Sequence, residues 1–316
     1  MSKWNPTRRE AIKAGLLAGA GLAVGRLPLV AETGRSYQLP LITKPIPSTG
    51  ERLPVIGLGT NRYGVSTPEE MAPLRDVLRQ MPGLGGKVID TAPSYRASES
   101  VLGQLMSELG NRNEFFLATK VTAPEGNVQE GIRQMENSFE VLKTDVIDLM
   151  EVHNLRGTDA VLPVMKEWKQ EGRIRYIGVT TSSTGAHEAL MEIMRREPLD
   201  FIQVNYSIGS RDAAEAVLPL AEERGMAVML NVPFGGRRGS VFGTLADKQL
   251  PDWAAEFDCT SWAQFCLKYL VSHPAVTVPI PGTTDVGHLA DNQGAGRGRL
   301  PDAAMRKRME ELFDSF

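Results

Sequence analysis

Cysteine is nearly absent from this chain: Cys259 and Cys266 are the only two in 316 residues. They sit seven positions apart in a segment that reads as helix, which separates them by about 10 Å along its axis, too far for a disulfide. A disulfide scaffold and a zinc-type Cys/His pattern are therefore excluded. An excess of charge of one sign is missing too. The net charge is -3, so no basic surplus marks nucleic acid or an anionic membrane surface as a partner. The most apolar N-terminal run is too short for a stable membrane span. No Gly-x-Ser-x-Gly elbow, low-complexity linker or internal repeat is present, which removes the open-sheet hydrolases and the solenoids.

The N-terminus differs in kind from the rest. Thr7-Arg8-Arg9 leads into a small Gly/Ala-rich apolar stretch over 14–24. Paired arginines ahead of a weakly hydrophobic segment resemble a twin-arginine export signal. Residues 1–35 are read as this targeting segment, which implies the export machinery as a partner and a periplasmic or extracytoplasmic location. Leu29-Val30-Ala31 matches a cleavage site poorly. Gly19-Ala20-Gly21 with Gly25 is not a dinucleotide turn, because a charged segment and not a strand precedes it.

From about Tyr37 the chain becomes regular. A hairpin is expected first, 41–42 against 53–56, across Ser48-Thr49-Gly50. Apolar β-type runs then recur at 55–58, 87–90, 115–119, 146–152, 175–179, 201–204, 227–230 and 276–280. Helical spacing fills the intervals, at 69–80, 98–109, 128–142, 161–171, 186–196, 211–224 and 261–272. Strands alternating with helices must pair in parallel, because a parallel neighbour needs a long crossover. Eight such units, with no glycine-rich turn after the first, predict a closed (β/α)8 TIM barrel over 36–316, preceded by the hairpin. A further amphipathic helix over 302–313 packs outside it.

In such a barrel the chemistry sits where the strands end. The runs close on Gly59, Thr60 and Asn61, then Asp90, Lys120, His153, Thr180 and Thr181, Gln203, Asn231, and Thr283. Asp90, Lys120 and His153 end successive strands about 4.8 Å apart, so their side chains can converge. Tyr95 follows Asp90 by five residues, in the loop over the same mouth. Reducing a carbonyl requires a hydride at carbon and a proton at oxygen. A tyrosine can give the proton once a lysine cation lowers its pKa, an aspartate can hold that lysine charged, and a histidine can fix the carbonyl oxygen.

The segment 88–103 contains Asp90-Thr91-Ala92, Tyr95, Ser98-Glu99 and Leu102-Gly103. With Thr119-Lys120, Glu151-Val152-His153 and Gly172 to Val179, it is similar to the signatures of the aldo-keto reductase family. The likeness spans about 40 to 295 in order and spacing. It implies a metal-free barrel using NADP(H), with NAD(H) as the other candidate, to reduce a small carbonyl compound reversibly. Tyr95 would be the proton donor, Lys120 and Asp90 its tuning pair and His153 the substrate orienter. It further implies cofactor contacts from Gly59, Thr60, Asn61, Asp90, Thr180, Thr181, Gln203, Asn231, Pro233, Phe234, Gly235 and Arg237. The adenosine phosphate would lie on Pro281, Gly282, Thr283, Thr284, His288, Asp291 and Asn292.

Several positions depart from the pattern. Thr180-Thr181 stands where Ser-Asn usually grips the carboxamide, and a threonine lacks the amide's paired donor and acceptor. Asn231 replaces a tyrosine that stacks on the nicotinamide, with Phe234 as a substitute ring. Gly282 and His288 stand for a lysine and an arginine, which leaves less fixed charge for a 2′-phosphate. The loop 235–239, with Arg237 and Arg238, is a source of charge for the pyrophosphate. Arg96 takes the place of a glycine directly after Tyr95, and either enters the pocket, there to narrow it or attract an anion, or faces solvent. The competing reading is a non-catalytic nicotinamide-binding sensor or partner-binding subunit on the same barrel, against which the intact four-residue set argues.

Overall fold

The computed structural model describes residues 39–236 and 239–316. The targeting segment expected over 1–35 and the loop residues Arg237 and Arg238 lie outside the described residues.

The hairpin comprises β1, Thr43–Pro45, and β2, Arg52–Pro54, paired antiparallel with Lys44 opposite Leu53. Pairing begins two residues later than expected because the turn is tight. Gly50, at φ 78°, and Glu51 fold back onto Ile46 through backbone hydrogen bonds. Leu41 is drawn off to bridge Arg297 instead.

Eight parallel strands follow. They are β3 Leu58–Gly59, β4 Val88–Asp90, β5 Phe116–Val121, β6 Ile147–His153, β7 Ile174–Thr180, β8 Phe201–Asn205, β9 Ala227–Asn231 and β10 Val278–Pro279. Each pairs with its sequence neighbour, as crossover helices require. The ring closes between last and first. Gly57 and Gly59 N–H donate to Pro279 and Pro281 carbonyls at 3.0 and 3.1 Å, and Gly59 bridges Gly282 in parallel. A side chain at Gly59 would put its Cβ 2.9 Å from the Ile280 carbonyl oxygen, so this seam needs glycine. The eight-unit (β/α)8 reading therefore holds, although the first run narrows from 55–58 to Leu58–Gly59.

The helices are α1 Pro68–Gln80, α2 Ser98–Leu109, α3 Val128–Leu142, α4 Thr158–Gln170, α5 His187–Arg196, α6 Val217–Glu223, α7 Val241–Leu245, α8 Trp262–Val271, α9 Val286–Gly294 and α10 Ala303–Asp314. The helix expected over 211–224 breaks into a 3-10 turn, Asp212–Ala214, and the short α6. Cys259 lies ahead of α8 and not within it; both thiols are free and buried. Among the described residues no helix is long and apolar enough to cross a membrane.

Period-2 alternation divides the core. Outward residues of the strands pack against the helices in one large cluster. Inward residues fill the lumen, where Val88, Phe116, Tyr176, Phe201 and Val278 meet Ile46 and Leu53 of the hairpin. The hairpin is thus the floor of the barrel. Lys44 nails it in place, donating to the carbonyls of Val271, His273 and Val276 at 2.7, 2.8 and 2.6 Å. Leu53 is fully buried. Leu53→Ala should therefore open a cavity in the lumen and destabilise the fold by about 2–5 kcal/mol, seen as a lower thermal midpoint. An unshifted midpoint would show that the hairpin does not support the barrel.

Candidate active site

Following the inward positions up each strand gives the site directly. Strand β6 presents Leu149, Glu151 and His153 in turn, β5 presents Phe116, Ala118 and Lys120, and β8 presents Phe201 and Gln203. The lower layers are apolar and the upper ones polar, so four hydrogen-bonding side chains converge below the mouth. Lys120 and Asp90 are each about 1% exposed. The Lys120 ammonium donates to Asp90 Oδ1 at 2.6 Å, Asp90 Oδ2 at 2.8 Å and the Thr91 carbonyl at 2.9 Å. Burial lowers the Lys120 pKa, but the Asp90 carboxylate, by its charge and its hydrogen bonds, outweighs it and holds the cation above its usual value.

Tyr95 and His153 sit above this pair. The Lys120 ammonium lies 5.3 Å from the Tyr95 ring centroid, and the Tyr95 and His153 rings meet edge to face at 6.2 Å. His153 Nδ1 is 3.4 Å from Ser94 Oγ. Burial, with Lys120 and Arg156 nearby, pushes the imidazole down to about 4, so it is neutral at physiological pH. The Tyr95 phenol differs from expectation. Burial raises its pKa, and although Lys120 pulls it down, the Asp90 carboxylate pushes it up again. The lysine's field is largely spent on the aspartate that holds it.

Helix α2 locks the strand ends that carry these groups. Ser98 Oγ donates to the Thr60 carbonyl at 3.0 Å and contacts Thr91 Oγ1 at 3.0 Å. The next residue, Glu99, accepts from Thr119 Oγ1 at 2.6 Å. The Ser98-Glu99 pair therefore staples the ends of β3, β4 and β5 in register.

The other expected positions separate into open and engaged groups. Gly59, Thr60, Asn61, Asp90, Tyr95, Asn231, Pro233, Phe234, Gly235 and Gly282 line one cleft of about 420 Å³. A second cleft of similar volume continues from it past Phe234 and Gly282 to Thr283, His288, Asp291 and Asn292. Pro281 is buried and Thr284 half-buried beside this second cleft. Several polar atoms are already used within the protein. Thr60 Oγ1 donates to the Asp90 carbonyl. Asp291 accepts from Ser261 and Gln264, fixing the start of α8. Thr181 Oγ1 accepts from Ser183 N–H. The Gln203 amide is wholly committed: Nε2 donates to Asp90 Oδ1 and Glu151 Oε2, both at 2.9 Å, and Oε1 accepts from Thr180 and Asn231. By contrast, Asn231 Oδ1 is a buried acceptor with no partner.

Three features of the site were not assigned from sequence. Phe242 pairs with Phe234 at 4.8 Å, making a two-ring wall between the clefts. Val232, a β-branched residue at φ 42°, turns the chain out of β9 at the mouth. Glu151 is fully buried, with Oε1 unpartnered. Two carboxylates and one ammonium share this enclosed layer, and burial raises Glu151 well above the carboxylate range, with Lys120 opposing and Asp90 adding to the shift. The signal for Glu151 was its place two residues before His153, on the same strand face.

A lumen holding a buried Lys–Asp pair beneath a tyrosine and a neutral histidine defines a proton-handling oxidoreductase barrel, and the comparisons agree. The aldo/keto reductase family model matches residues 55–312, and the chain belongs to that family. It is 28% identical to methylglyoxal reductase YeaE of Escherichia coli over 80% of this chain and 89% of that protein. It is 33% identical to aldo-keto reductase YhdN of Bacillus subtilis, over 58% of this chain and 60% of YhdN. Among solved structures, an aldo-keto reductase of Bacillus halodurans in its holo form superposes with TM-score 0.71 at 22% identity, covering 86% of this chain and 96% of that one. One from Klebsiella pneumoniae, in complex with NADP and acetate, gives 0.68 at 26% identity, covering 84% and 93%.

Glu151 supplies a stability test. Its folded pKa is raised, so the folded protein holds a proton that the unfolded chain releases above the ordinary carboxylate range. Stability is therefore lost as pH rises through that window, by up to about 1.4 kcal/mol per pH unit. Glu151→Gln should gain on the wild type between pH 5 and 7 in chemical denaturation. An equal gap at the two pH values would show that Glu151 is ionised in the fold.

Proposed function

We propose that this oxidoreductase reduces an aldehyde or ketone to the alcohol with NADP(H), and that the same groups serve the reverse oxidation. The observation that carries the reading is the Tyr95 phenol standing over the sealed Lys120–Asp90 pair with neutral His153 at its edge. The two joined clefts suit an elongated dinucleotide. Asn231 Oδ1, the buried acceptor lacking a donor, fits a carboxamide N–H. The Phe234–Phe242 wall offers apolar faces, and the start of the nine-residue α9, capped by Asp285, directs backbone N–H groups toward the second cleft. Gly282 and His288 line that cleft where stronger cations would favour a 2′-phosphate, which keeps NAD(H) as the alternative cofactor. The NADP in the Klebsiella structure and the carbonyl reduction named for the Escherichia coli relative support the assignment.

The bound nicotinamide would supply hydride to the carbonyl carbon. The chain's own residues manage the oxygen. Neutral His153 has an N–H to donate to the carbonyl oxygen and orients it toward Tyr95. The phenol proton passes to that oxygen as charge develops, and the tyrosinate that forms is stabilised by the Lys120 cation. Asp90 and the Thr91 carbonyl keep the ammonium fixed, so little reorganisation accompanies the transfer. Water is excluded from the layer beneath.

Tyr95→Phe removes only the transferable proton. It should lower kcat for aldehyde reduction about 10²- to 10⁴-fold while cofactor affinity, read by fluorescence titration, stays close to wild type. Full activity in Tyr95→Phe would refute the mechanism. Tight cofactor binding by the wild type without turnover of any carbonyl would favour a nicotinamide-binding sensor or partner-binding subunit.

We also propose that the twin-arginine machinery exports the chain to the periplasm. Support comes from Arg8-Arg9 ahead of the apolar run at 14–24. Cell fractionation should find the wild type outside the cytoplasm and the Arg8→Lys, Arg9→Lys variant retained; retention of both would refute export.

A further inference from the structure

The substrate cavity carries an unusual charge pattern. A space of about 850 Å³ opens above Tyr95, bounded by the loop after β3 (Arg62, Gly64) and the loop after β4 (Ser94, Arg96). Both arginines are exposed, and neither has an acidic or hydrogen-bonding partner among the described residues. Elsewhere on the molecule Arg75, Arg112, Arg175, Arg211 and Arg299 each pair with a carboxylate. The chain has 38 acidic residues against 35 basic ones. Yet the single carboxylate lining the cavity, Glu70, has Oε2 occupied by the Ser66 and Thr67 backbone N–H groups. A third unpaired guanidinium, Arg156, stands in the loop after β6, close enough to depress His153.

Two structural facts show that the arginines are held at the cavity. Gly64 lets the first loop press against the second; a Cβ there would lie 2.5 Å from the Tyr95 carbonyl oxygen and 2.7 Å from Arg96 Cβ. Arg62 and Arg96 therefore ride on one packed unit beside the proton donor. Arg96 also has φ 57°, a left-handed backbone that glycine adopts freely and a long side chain does not. A strained position is occupied by a cation with no hydrogen bond or ion pair among the described residues, which points to a use outside the protein.

We propose that the carbonyl substrate is an anion, whose carboxylate or phosphate is gripped by Arg62 and Arg96 while its carbonyl faces Tyr95. A guanidinium pairs with either group through two parallel N–H···O bonds. Net attraction toward the cavity also steers an anion in and falls with salt, since exposed charges are screened over about 10 Å at 0.1 M.

The proposal rests on the carbonyl-reduction reading, and the test separates the two. Succinic semialdehyde is compared with butanal, and glyceraldehyde 3-phosphate with glyceraldehyde; the first pair tests a carboxylate and the second a phosphate. At least one anion should exceed its neutral partner in kcat/KM, and that ratio should shrink between 50 and 500 mM NaCl. Arg62→Ala and Arg96→Ala should each reduce the anion-to-neutral ratio about tenfold. Arg96→Gly should reduce it equally while raising the thermal midpoint, because glycine relieves the backbone; this excludes misfolding as the cause. A ratio near one, or a ratio unchanged in the variants, overturns the proposal. Calorimetric binding of 4-hydroxybutyrate against butan-1-ol needs no turnover. Arginine-dependent binding of the anion without reduction of any of the four carbonyls would sustain anion recognition and overturn only the reductase reading. Absence of both would overturn both.

Discussion

An ammonium and a carboxylate share the upper lumen of this barrel, 2.6 Å apart and closed to solvent. Either charge alone would be untenable there, since removing one partner of a buried pair costs about 3–5 kcal/mol. The surroundings are arranged to keep both. Asp90 takes a second donor from Gln203, Lys120 takes a carbonyl from Thr91, and Ser98 and Glu99 of α2 tie together the three strand ends involved. Glu151 adds a carboxyl that the single ammonium cannot also neutralise. Its proton is the cheapest way to balance the layer. The pair thus dictates the protonation state of one neighbour and, through its field, the acidity of Tyr95.

The Tyr95 result shows how strongly that compensation acts. A lysine beside a tyrosine lowers the phenol's pKa in principle, but here the same lysine faces Asp90 at closer range. Burial and the charged Asp90 carboxylate prevail. The arrangement thus favours the protonated phenol. That is the form the proposed proton donor needs.

Much of this was legible in the sequence, for reasons visible in particular residues. Helix α2 starts and stops as expected because its apolar stripe ends at Gly110, which takes the left-handed cap. Helix α3 does so because Asn127 caps its first turn. The polar strand ends Asp90, Lys120 and His153 lie at the mouth because each follows an apolar run in a fixed inward phase. What failed was set by tertiary contact. The hairpin register depended on a backbone fold at Ile46 to Glu51 and on Leu41 being claimed by Arg297. The stretch before α6 carried helical spacing but was pulled into a 3-10 turn. Residue type marks the cofactor positions, while the protein partners that Gln203, Thr60 and Asp291 also hold are invisible to any local pattern. Glu151 could have been read from alternation, but a glutamate within a strand reads as outward-facing until its neighbours in the lumen are known.

The barrel's two ends divide the work between stability and chemistry. The floor is apolar, plugged by Ile46 and Leu53 and pinned by three carbonyls on one lysine. The mouth holds the unpaired guanidinium groups and the partnerless Asn231 acceptor, and among its left-handed non-glycine residues Arg96 and Val232 flank the same cavity. Strain of about 1 kcal/mol or more at each such residue persists only where the surrounding fold can carry it. The floor and the helix-packed core provide that reserve. The mouth can therefore carry groups that find no partner among the described residues, partners that the proposed cofactor and substrate would supply.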